Sequence, residues 1–329
     1  MLLLRIFLLC SLLVIHVRVM AQAIDNMSSF RIIDAEMYVR VHYENDFFAN
    51  TDYYFTQGIN VEMVKPSLRT FPLSKLLLTP DTGTNQFGIS LEHNAYTPTS
   101  IGHDEILYGD RPFAAALLLK TFAMSAMGAS RYRITSSFSL GVIGPAAGGY
   151  EIQKTIHRWT RGKEPQGWQN QIANDVIINY DVGMEKNILH VNKSFLVNAF
   201  ADARLGTLNA KLSSGLVIMG GRFNQAIKAV FIGNESPSAG IEKFTFHFYF
   251  QPMINLVGYD ATMQGGVFNR DSPYTLSAKE VKTITVQTNF GLVAQVHSLY
   301  LEYFHTILST EFEGGLQHKW GGIRIGLKI

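Results

Sequence analysis

Two groups of polar residues in this chain have side chains suited to catalysis. The first lies in "HYENDFFANTDYYFT", which contains Asn45, Asp46 and Thr56. The second lies in "GGYEIQKTIHRW", where Gln153 and His157 are four residues apart and would share one face of a helix. Histidine titrates near neutral pH and can act as a general base that activates water. The two groups together predict a hydrolytic site, provided that the fold brings them close.

Asp46 predicts a site for a hard cation. Oxygen ligands favour calcium or magnesium over zinc, and Glu44 or backbone carbonyls could complete the ligand set. Such a cation would polarise an ester carbonyl, to which Asn45 and Thr56 supply hydrogen bonds. The predicted chemistry is attack by water without a covalent intermediate. The alternative is that His157 is a solvated or capping residue and that Asp46 binds a structural cation.

The stretch around His157 predicts a short helix. Ile152, Ile156 and Trp159 recur at i, i+4 and i+7 and form an apolar stripe beside the face of Gln153 and His157. Glycines precede this stretch, and Gly162 and Pro165 follow it. We expect the stripe to pack on a protein wall or on lipid, which leaves the polar face towards the other candidate residues.

The rest of the chain alternates apolar and polar residues with a period of two, which predicts strands. About twelve such runs occur, near residues 37–46, 55–65, 86–93, 112–124, 131–143, 175–189, 194–205, 207–221, 242–258, 281–296, 298–312 and 317–329. Many exceed the usual strand length of about 5–6 residues and approach the roughly 9–11 of a tilted membrane strand. We therefore predict an all-β fold, a transmembrane antiparallel β-barrel of about 12 strands with a short helix in an extracellular loop. A secreted β-sandwich is the alternative.

The N-terminal residues predict secretion. Residues 1–23 have a basic start, an apolar run and a small-x-small end, which is typical of a signal peptide, so 24–329 would form the barrel. The only cysteine, Cys10, lies in this segment, which excludes disulfides and thiol chemistry from the mature chain. Removal of Arg5 and Arg18 lowers the 28 basic residues to 26, equal to the 26 acidic ones. This balance gives no basic surface for nucleic acid, and we expect a monomer in the bacterial outer membrane.

The predicted topology places the candidate residues at one rim. If the N-terminus starts in the periplasm, the first strand ends at the outer rim with Asn45 and Asp46, and the second begins there near Thr56. The helix lies in the outer connection between strands five and six. Alternation puts Asn45 and Asp46 on opposite faces, so both serve one site only if the strand end bends. The stretch 66–84 is long for an inner turn, and the pattern does not account for it.

Five motifs in order carry a family resemblance. They are "ENDFFANTDYYFTQGI", "EHNAYTPT", "GDRPFAAALLL", "GVIGPAAGGYEIQKTIHRW" and "GWQNQI". In order and spacing, from about Tyr38 to Ile172, they resemble the calcium-dependent outer-membrane lipid A 3′-O-deacylase family. The resemblance implies a twelve-stranded barrel that removes the 3′-linked acyloxyacyl chain of lipid A. It implies lipid A or lipopolysaccharide as the substrate and outer-membrane lipids as partners.

The resemblance also implies roles for individual residues. His157 would be the base, Asp46 a calcium ligand, Asn45 and Thr56 polar groups at the ester, and Gln153 a helix residue that contacts the site. Glu164 is one residue away from the position of an acidic ligand in the family, and we predict it as a second calcium ligand.

The chain departs from the family pattern in the loop after Tyr96. The family can place a lysine there for a phosphate of lipid A, whereas this chain has "TPTSIGHDEI", with His103 and no lysine.

Two other functions fit parts of the pattern. A non-catalytic barrel, either a pore or a structural protein, would share the strands and the loops. A phospholipase of the same membrane would need a serine nucleophile paired with a histidine on a strand, and the chain shows no convincing Ser-x-His arrangement.

Overall fold

The chain folds into a closed antiparallel β-barrel. The computed structural model describes residues 25–51, 53–160, 164–233 and 243–329. Within these residues, each of twelve strands pairs with the next, and the last pairs with the first. The predicted fold is confirmed, whereas the predicted signal peptide lies outside the described residues.

The strands are β1 (Tyr38–Asn45), β2 (Tyr54–Val64), β3 (Thr84–Thr97), β4 (Ala114–Met127), β5 (Tyr132–Ile143), β6 (Asp175–Val191), β7 (Phe195–Gly206), β8 (Asn209–Arg222), β9 (Phe244–Asp260), β10 (Ile284–Val296), β11 (Leu299–Leu308) and β12 (His318–Lys328). The α-helices among the described residues are α1 (Gly149–Thr160), α2 (Gln225–Phe231) and α3 (Ala261–Gln264). In the part of the chain that the structure describes, no helix has the length and apolarity needed to cross a bilayer.

Alternation along each strand separates a lipid-facing surface from a polar lumen. In β9, Phe244, Phe246, Phe248 and Phe250 are exposed on the outside, while the residues between them are buried. The lumen side carries polar and charged groups, such as the Lys120–Glu92 ion pair at 2.8 Å. An apolar outer face around a polar interior is the arrangement that a bilayer requires.

The first and last strands close the barrel. Eight residues of β1 align with eight of β12, for example Val41 with Ile325. The backbone N–H of Ile329 donates to the Met37 carbonyl at 3.1 Å, which extends the seam to the end of the chain. This pairing closes the predicted barrel.

The two ends of the barrel differ in their connections. β4 to β5, β6 to β7 and β10 to β11 are joined by short turns, whereas β3 to β4, β5 to β6 and β9 to β10 are joined by long loops at the other end. Short turns mark the periplasmic end of an outer-membrane barrel and long loops mark the outside. The end of β1, the start of β2 and α1 therefore share the outer rim, as predicted.

The segment 25–37 enters the lumen from the periplasmic end, and we call it the N-terminal plug. The Phe30 ring stacks on Tyr249 of β9 with centroids 3.7 Å apart. The Arg31 guanidinium pairs with Glu302 of β11 at 3.1 Å, and both side chains are buried. Helix α2, in the connection from β8 to β9, buries Ile227 and Phe231 in the same apolar cluster as Phe30. The plug thus fills the periplasmic half of the barrel.

The stretch 66–84 folds back over the barrel wall. It forms two 3₁₀ helices, Pro66–Thr70 and Pro72–Leu76. The Ser74 and Thr121 hydroxyl oxygens are 3.2 Å apart, and the Tyr180 hydroxyl donates to the Leu76 carbonyl at 2.8 Å. The length that alternation left unexplained is therefore used to cover part of the wall.

The outer loops cover the other mouth of the lumen. Arg111, just before β4, pairs with Glu311 between β11 and β12, and donates to the Thr262 hydroxyl of α3 at 2.7 Å. An apolar cluster of Tyr54, Met263, Leu276, Val281 and Phe312 packs in the same loops. Among the described residues, side chains therefore cover both mouths of the lumen.

Candidate active site between the barrel wall and helix α1

The backbone changes direction at the end of β1, where Asn45 and Asp46 lie. Asn45 is the last residue of β1, and its side-chain amide donates to the Thr56 carbonyl at 2.5 Å. Its amide oxygen accepts from the Phe47 N–H at 2.7 Å and so caps the 3₁₀ helix Asp46–Ala49. Strand β1 ends at Asn45 and a 3₁₀ helix begins at Asp46. The alternation of the strand, which would direct Asp46 to the lumen, therefore no longer applies to it. The bend that the site requires is present.

A β-bulge turns two successive polar residues of β2 towards the same side of the wall. Phe55 aligns with Tyr96 and Gln57 aligns with Ala95, so Thr56 is an extra residue in β2. Ala95 faces outwards, where it packs with Ala115 and Trp168. Residues aligned across a strand pair share a face, so Gln57 also faces outwards. The bulge therefore interrupts the alternation at the site.

Helix α1 is fixed to the wall through Gln153. Its side-chain amide donates to the Thr56 hydroxyl at 3.0 Å, and its amide oxygen accepts from the Trp168 indole N–H at 2.6 Å. Gln153 is 2% exposed, so these bonds lie in a dry contact between helix and wall. A Cβ added at Gly149 would come within 2.5 Å of the Ala115 Cβ, so the helix start needs a glycine to approach the wall.

His157 lies one turn beyond Gln153 on the same helix and is half-buried. The structure thus joins three of the predicted residues, Asn45, Thr56 and Gln153, in one hydrogen-bonded group. Asp46 follows Asn45 in the chain, and His157 follows Gln153 along the helix face. The site thus has a wall side, with Asn45 and Thr56, and a helix side, with Gln153.

The apolar stripe of α1 does not end against the protein. Trp159 is 81% exposed, while the residue of α1 that packs against the wall is Gln153. Phe47, on the wall side of the site, is 77% exposed. Of the two predicted surroundings for the stripe, protein wall or lipid, its end therefore suits lipid. Aromatic side chains of this kind are typical of the level where a barrel meets the membrane interface.

Asp46 is buried among oxygen-bearing groups. It is 4% exposed, and the Thr51 hydroxyl donates to its backbone carbonyl at 3.2 Å. Burial, and secondarily the Asp46 carboxylate, raises the pKa of the nearby Tyr53 hydroxyl. That hydroxyl donates to the Gln317 carbonyl at 2.7 Å. The Asp46 carboxyl therefore lies close enough to the Tyr53 hydroxyl to interact with it electrostatically.

Glu164 follows α1 in the chain and contacts two of its side chains. Its carboxylate pairs with the Lys154 ammonium at 2.5 Å and accepts from the Tyr150 hydroxyl at 2.9 Å. These hydrogen bonds lower the pKa of Glu164. Within the described ranges, no three His, Asp or Glu side chains form a group that could hold a metal ion. A role for Glu164 as a calcium ligand stays a prediction.

The residues at the rim fit a hard cation in kind. The Asp46 carboxylate and the hydroxyl and carbonyl oxygens of Thr51 and Thr56 are oxygen ligands of the kind that calcium binds. Calcium takes roughly 6–8 oxygen ligands. Backbone carbonyls, water and substrate oxygens would therefore have to supply most of them.

A family model described as outer membrane protein LpxR matches residues 6–329. The chain belongs to this family. The match confirms the resemblance indicated by the five motifs, and with it an enzyme that is an outer-membrane lipid A deacylase. The predicted location in the outer membrane is confirmed as well.

Solved structures share the barrel of this LpxR-family chain. LpxR from Salmonella typhimurium is 17% identical, with a TM-score of 0.70 over 89% of this chain and 100% of that one. At this identity the likeness shows the fold alone. The β domain of the Bordetella autotransporter BrkA is 11% identical, with a TM-score of 0.44 over 89% and 98% of the two chains. A TM-score of 0.44 is too low to support an inference about this chain. The search of curated protein sequences gave no match.

Sequence reasoning missed two polar residues of the wall. Gln57 and His93 face outwards from β2 and β3 and are buried beside the site. Gln57 was visible as a polar residue in the outward alternation of Ile59 and Val61, whereas the bulge changes the face of Thr56, which the local sequence does not show. His93 was visible as a polar residue two positions after the lipid-facing Leu91, in the motif "EHNAYTPT".

Proposed function

We propose that this enzyme removes the 3′-linked acyloxyacyl chain of lipid A, with His157 as the general base and Asp46 as a calcium ligand. The observation that carries the proposal is the Gln153–Thr56 hydrogen bond. It holds the helix face of His157 against the rim of Asn45 and Asp46, so that a base, a carboxylate and hydrogen-bond donors converge from two elements.

Each residue has a role that follows from its contacts. The Thr56 hydroxyl accepts from Gln153, which leaves its own proton to donate to an ester oxygen. Asn45 fixes the bulge through the Thr56 carbonyl. The His157 imidazole takes a proton from the attacking water and returns it to the leaving sugar oxygen. A calcium ion bound at Asp46 would supply positive charge for the developing oxyanion.

The surroundings of the site suit a lipid. The site lies on the outer side of the wall, between β1, β2 and α1, and not in the lumen. The exposed Trp159 and Phe47 flank it at the outer rim. An acyl chain in the outer leaflet would thus reach the ester-binding groups without leaving the membrane.

The test is to express the chain in cells that make hexa-acylated lipid A and to record lipid A masses with calcium and with a chelator. We expect a loss of mass equal to one acyloxyacyl chain, which His157→Ala and Asp46→Asn abolish. Repeating the measurement with magnesium in place of calcium shows which of the two ions supports the loss of mass. An unchanged mass with the wild-type protein, correctly inserted, would contradict the proposal. Fatty acid released from phospholipid vesicles instead would favour the phospholipase alternative.

A further inference from the structure

Two buried polar side chains beside the site lack hydrogen-bond partners. Gln57 is 1% exposed, and its side-chain amide nitrogen has no partner. His93 is 5% exposed, and its ring nitrogens form no side-chain hydrogen bond. Buried polar groups in proteins are nearly always paired, because an unpaired group loses its bonds to water and gains none in return. Two such groups side by side therefore indicate a missing ligand.

The two side chains are neighbours on the lipid-facing side of the wall. Gln57 aligns with Ala95 and His93 aligns with Ile59, so they are diagonal neighbours on adjacent strands. Their Cα atoms are then about 7–8 Å apart. A residue that faces lipid in a barrel is normally apolar, as Leu91 is. Gln57 and His93 are polar and can each donate and accept hydrogen bonds, so they depart from this pattern.

The segment that carries α1 covers the pair. The backbone of Ala147, just before α1, lies beside the His93 ring without forming a hydrogen bond of normal geometry. Ala147 packs in one cluster with Ala95 and Trp168. Gln57 follows Thr56 directly, whose hydroxyl is bound by Gln153. The pair therefore lies under the start of α1, whereas His157 lies towards its end.

We propose that Gln57 and His93 form a polar subsite for the part of lipid A next to the ester that is cleaved. This inference rests on the proposed function. The glucosamine unit that carries a 3′-ester carries an amide on the adjacent carbon, which offers one acceptor and one donor. The Gln57 amide nitrogen donates to such a carbonyl, and a neutral imidazole at His93 has one donor and one acceptor of its own.

In the proposed complex the ester lies at Thr56 and the amide at Gln57 and His93, with the start of α1 displaced from the part of the wall that it covers in this structure. The subsite gives the enzyme a neutral means of orienting the sugar, in a chain whose neighbouring loop has no lysine for a phosphate.

The test separates binding from hydrolysis. Gln57→Leu and His93→Leu are made in the His157→Ala protein, and binding of hexa-acylated lipid A in detergent micelles is measured together with the unfolding temperature. We expect each to weaken binding about tenfold, the loss of roughly one hydrogen bond to a buried partner. The unfolding temperature should stay the same or rise, because an unpaired polar group has been removed. His93→Gln keeps a donor and an acceptor and should bind within about threefold of the parent.

A matched control comes from the lumen. Gln287 is buried, and its amide donates to the Asn289 side-chain oxygen at 2.8 Å. Gln287→Leu should lower the unfolding temperature and leave lipid A binding unchanged. Unchanged binding in both wall variants would overturn the subsite, as would a drop in unfolding temperature like that of Gln287→Leu. The proposed function fails separately, through an unchanged lipid A mass with the His157 protein.

Discussion

At the scale of single residues, Gln153 links the two sides of the site. Its amide nitrogen binds the barrel through Thr56, and its amide oxygen binds the loop after α1 through Trp168. A side chain with both a donor and an acceptor is needed, because one partner accepts and the other donates. The position of His157 relative to the rim depends on this residue, which lies one helical turn away.

Gln153→Leu should therefore impair both stability and activity. The substitution leaves the buried Trp168 N–H without an acceptor, which costs about 1–3 kcal/mol of unfolding free energy. Loss of helix position should lower the deacylation rate at least about tenfold, since small displacements of a catalytic group are costly. Denaturant unfolding and lipid A mass spectrometry measure the two effects.

Thr155→Ala is the control for that experiment. Thr155 is exposed on the same helix, and its hydroxyl donates only to the Glu151 carbonyl within α1. It should change neither quantity. Equal losses in both variants would mean that α1 is sensitive to any substitution and that the contact of Gln153 with the wall is not special.

Glu164 gives a pH dependence. Its pKa in the folded chain is lowered by hydrogen bonds from Lys154 and Tyr150. A carboxyl group with a lowered pKa stabilises the fold above its unfolded pKa, about 4.3, and this contribution is lost as the pH falls through the folded pKa. We expect the protection of α1 amides against hydrogen exchange, taken relative to the intrinsic exchange rate at each pH, to be constant from pH 6 to pH 8 and to fall only in acid. Glu164→Gln should show the lower protection already at pH 7, because it removes the ion pair with Lys154.

Residue types and spacing in the sequence predicted much of the site but not its geometry. Gln153 and His157 share a helix face because they are four residues apart, and this needed no structure. The placement of Asn45 and Asp46 in one site depended on the end of β1, and the placement of Thr56 on the outer side of the wall depended on the bulge in β2. Both are set by pairing with neighbouring strands, which alternation within one strand cannot reveal.

At the scale of elements, the N-terminal plug is the part of the fold with no counterpart in the strand pattern. The segment is short and mixed in polarity, so neither period two nor a helical repeat marks it. Its contacts are with residues far away in the chain, for example Arg31 with Glu302 and His247 with the Phe30 carbonyl. The strands were predictable because their pattern is local, whereas the plug was not because its partners are distant.

Arg31→Ala tests the contribution of the plug. The variant leaves Glu302 in the lumen with Arg324 as its remaining cationic partner. Removal of one partner from a buried ion pair typically costs about 3–5 kcal/mol, and the second arginine should reduce this. Denaturant unfolding in detergent measures the change.

Lys282→Ala is the matched comparison. Lys282 and Glu313 form an ion pair in the outer loops, where the Glu313 side chain is exposed. Such pairs contribute about 0–1 kcal/mol. A change in unfolding free energy no larger for Arg31→Ala than for Lys282→Ala would show that the plug does not stabilise the barrel.

At the scale of the whole molecule, described side chains cover both ends of the lumen. The plug fills the periplasmic end, and the Arg111–Glu311 pair with its apolar cluster covers the outer end. Two of the cavities left in the lumen have volumes of about 40 Å³ each, enough for a few water molecules. These features oppose the pore that the strand pattern alone allowed.

Purified protein in planar bilayers should accordingly show no steady conductance. A pore of fixed size, seen in every inserted molecule, would contradict the closed lumen. Arg111→Ala removes the cation from the outer cover and is the variant in which brief openings are expected, since Glu311 would lose its counter-charge.

The position of the N-terminal plug also constrains the order of assembly. The plug precedes β1 in the chain, yet it contacts β9 through Tyr249 and β11 through Glu302. The seam between β1 and β12 closes around it. The contacts of the plug can therefore be complete only after β9 and β11 are in place, so we expect its entry to be a late step of assembly.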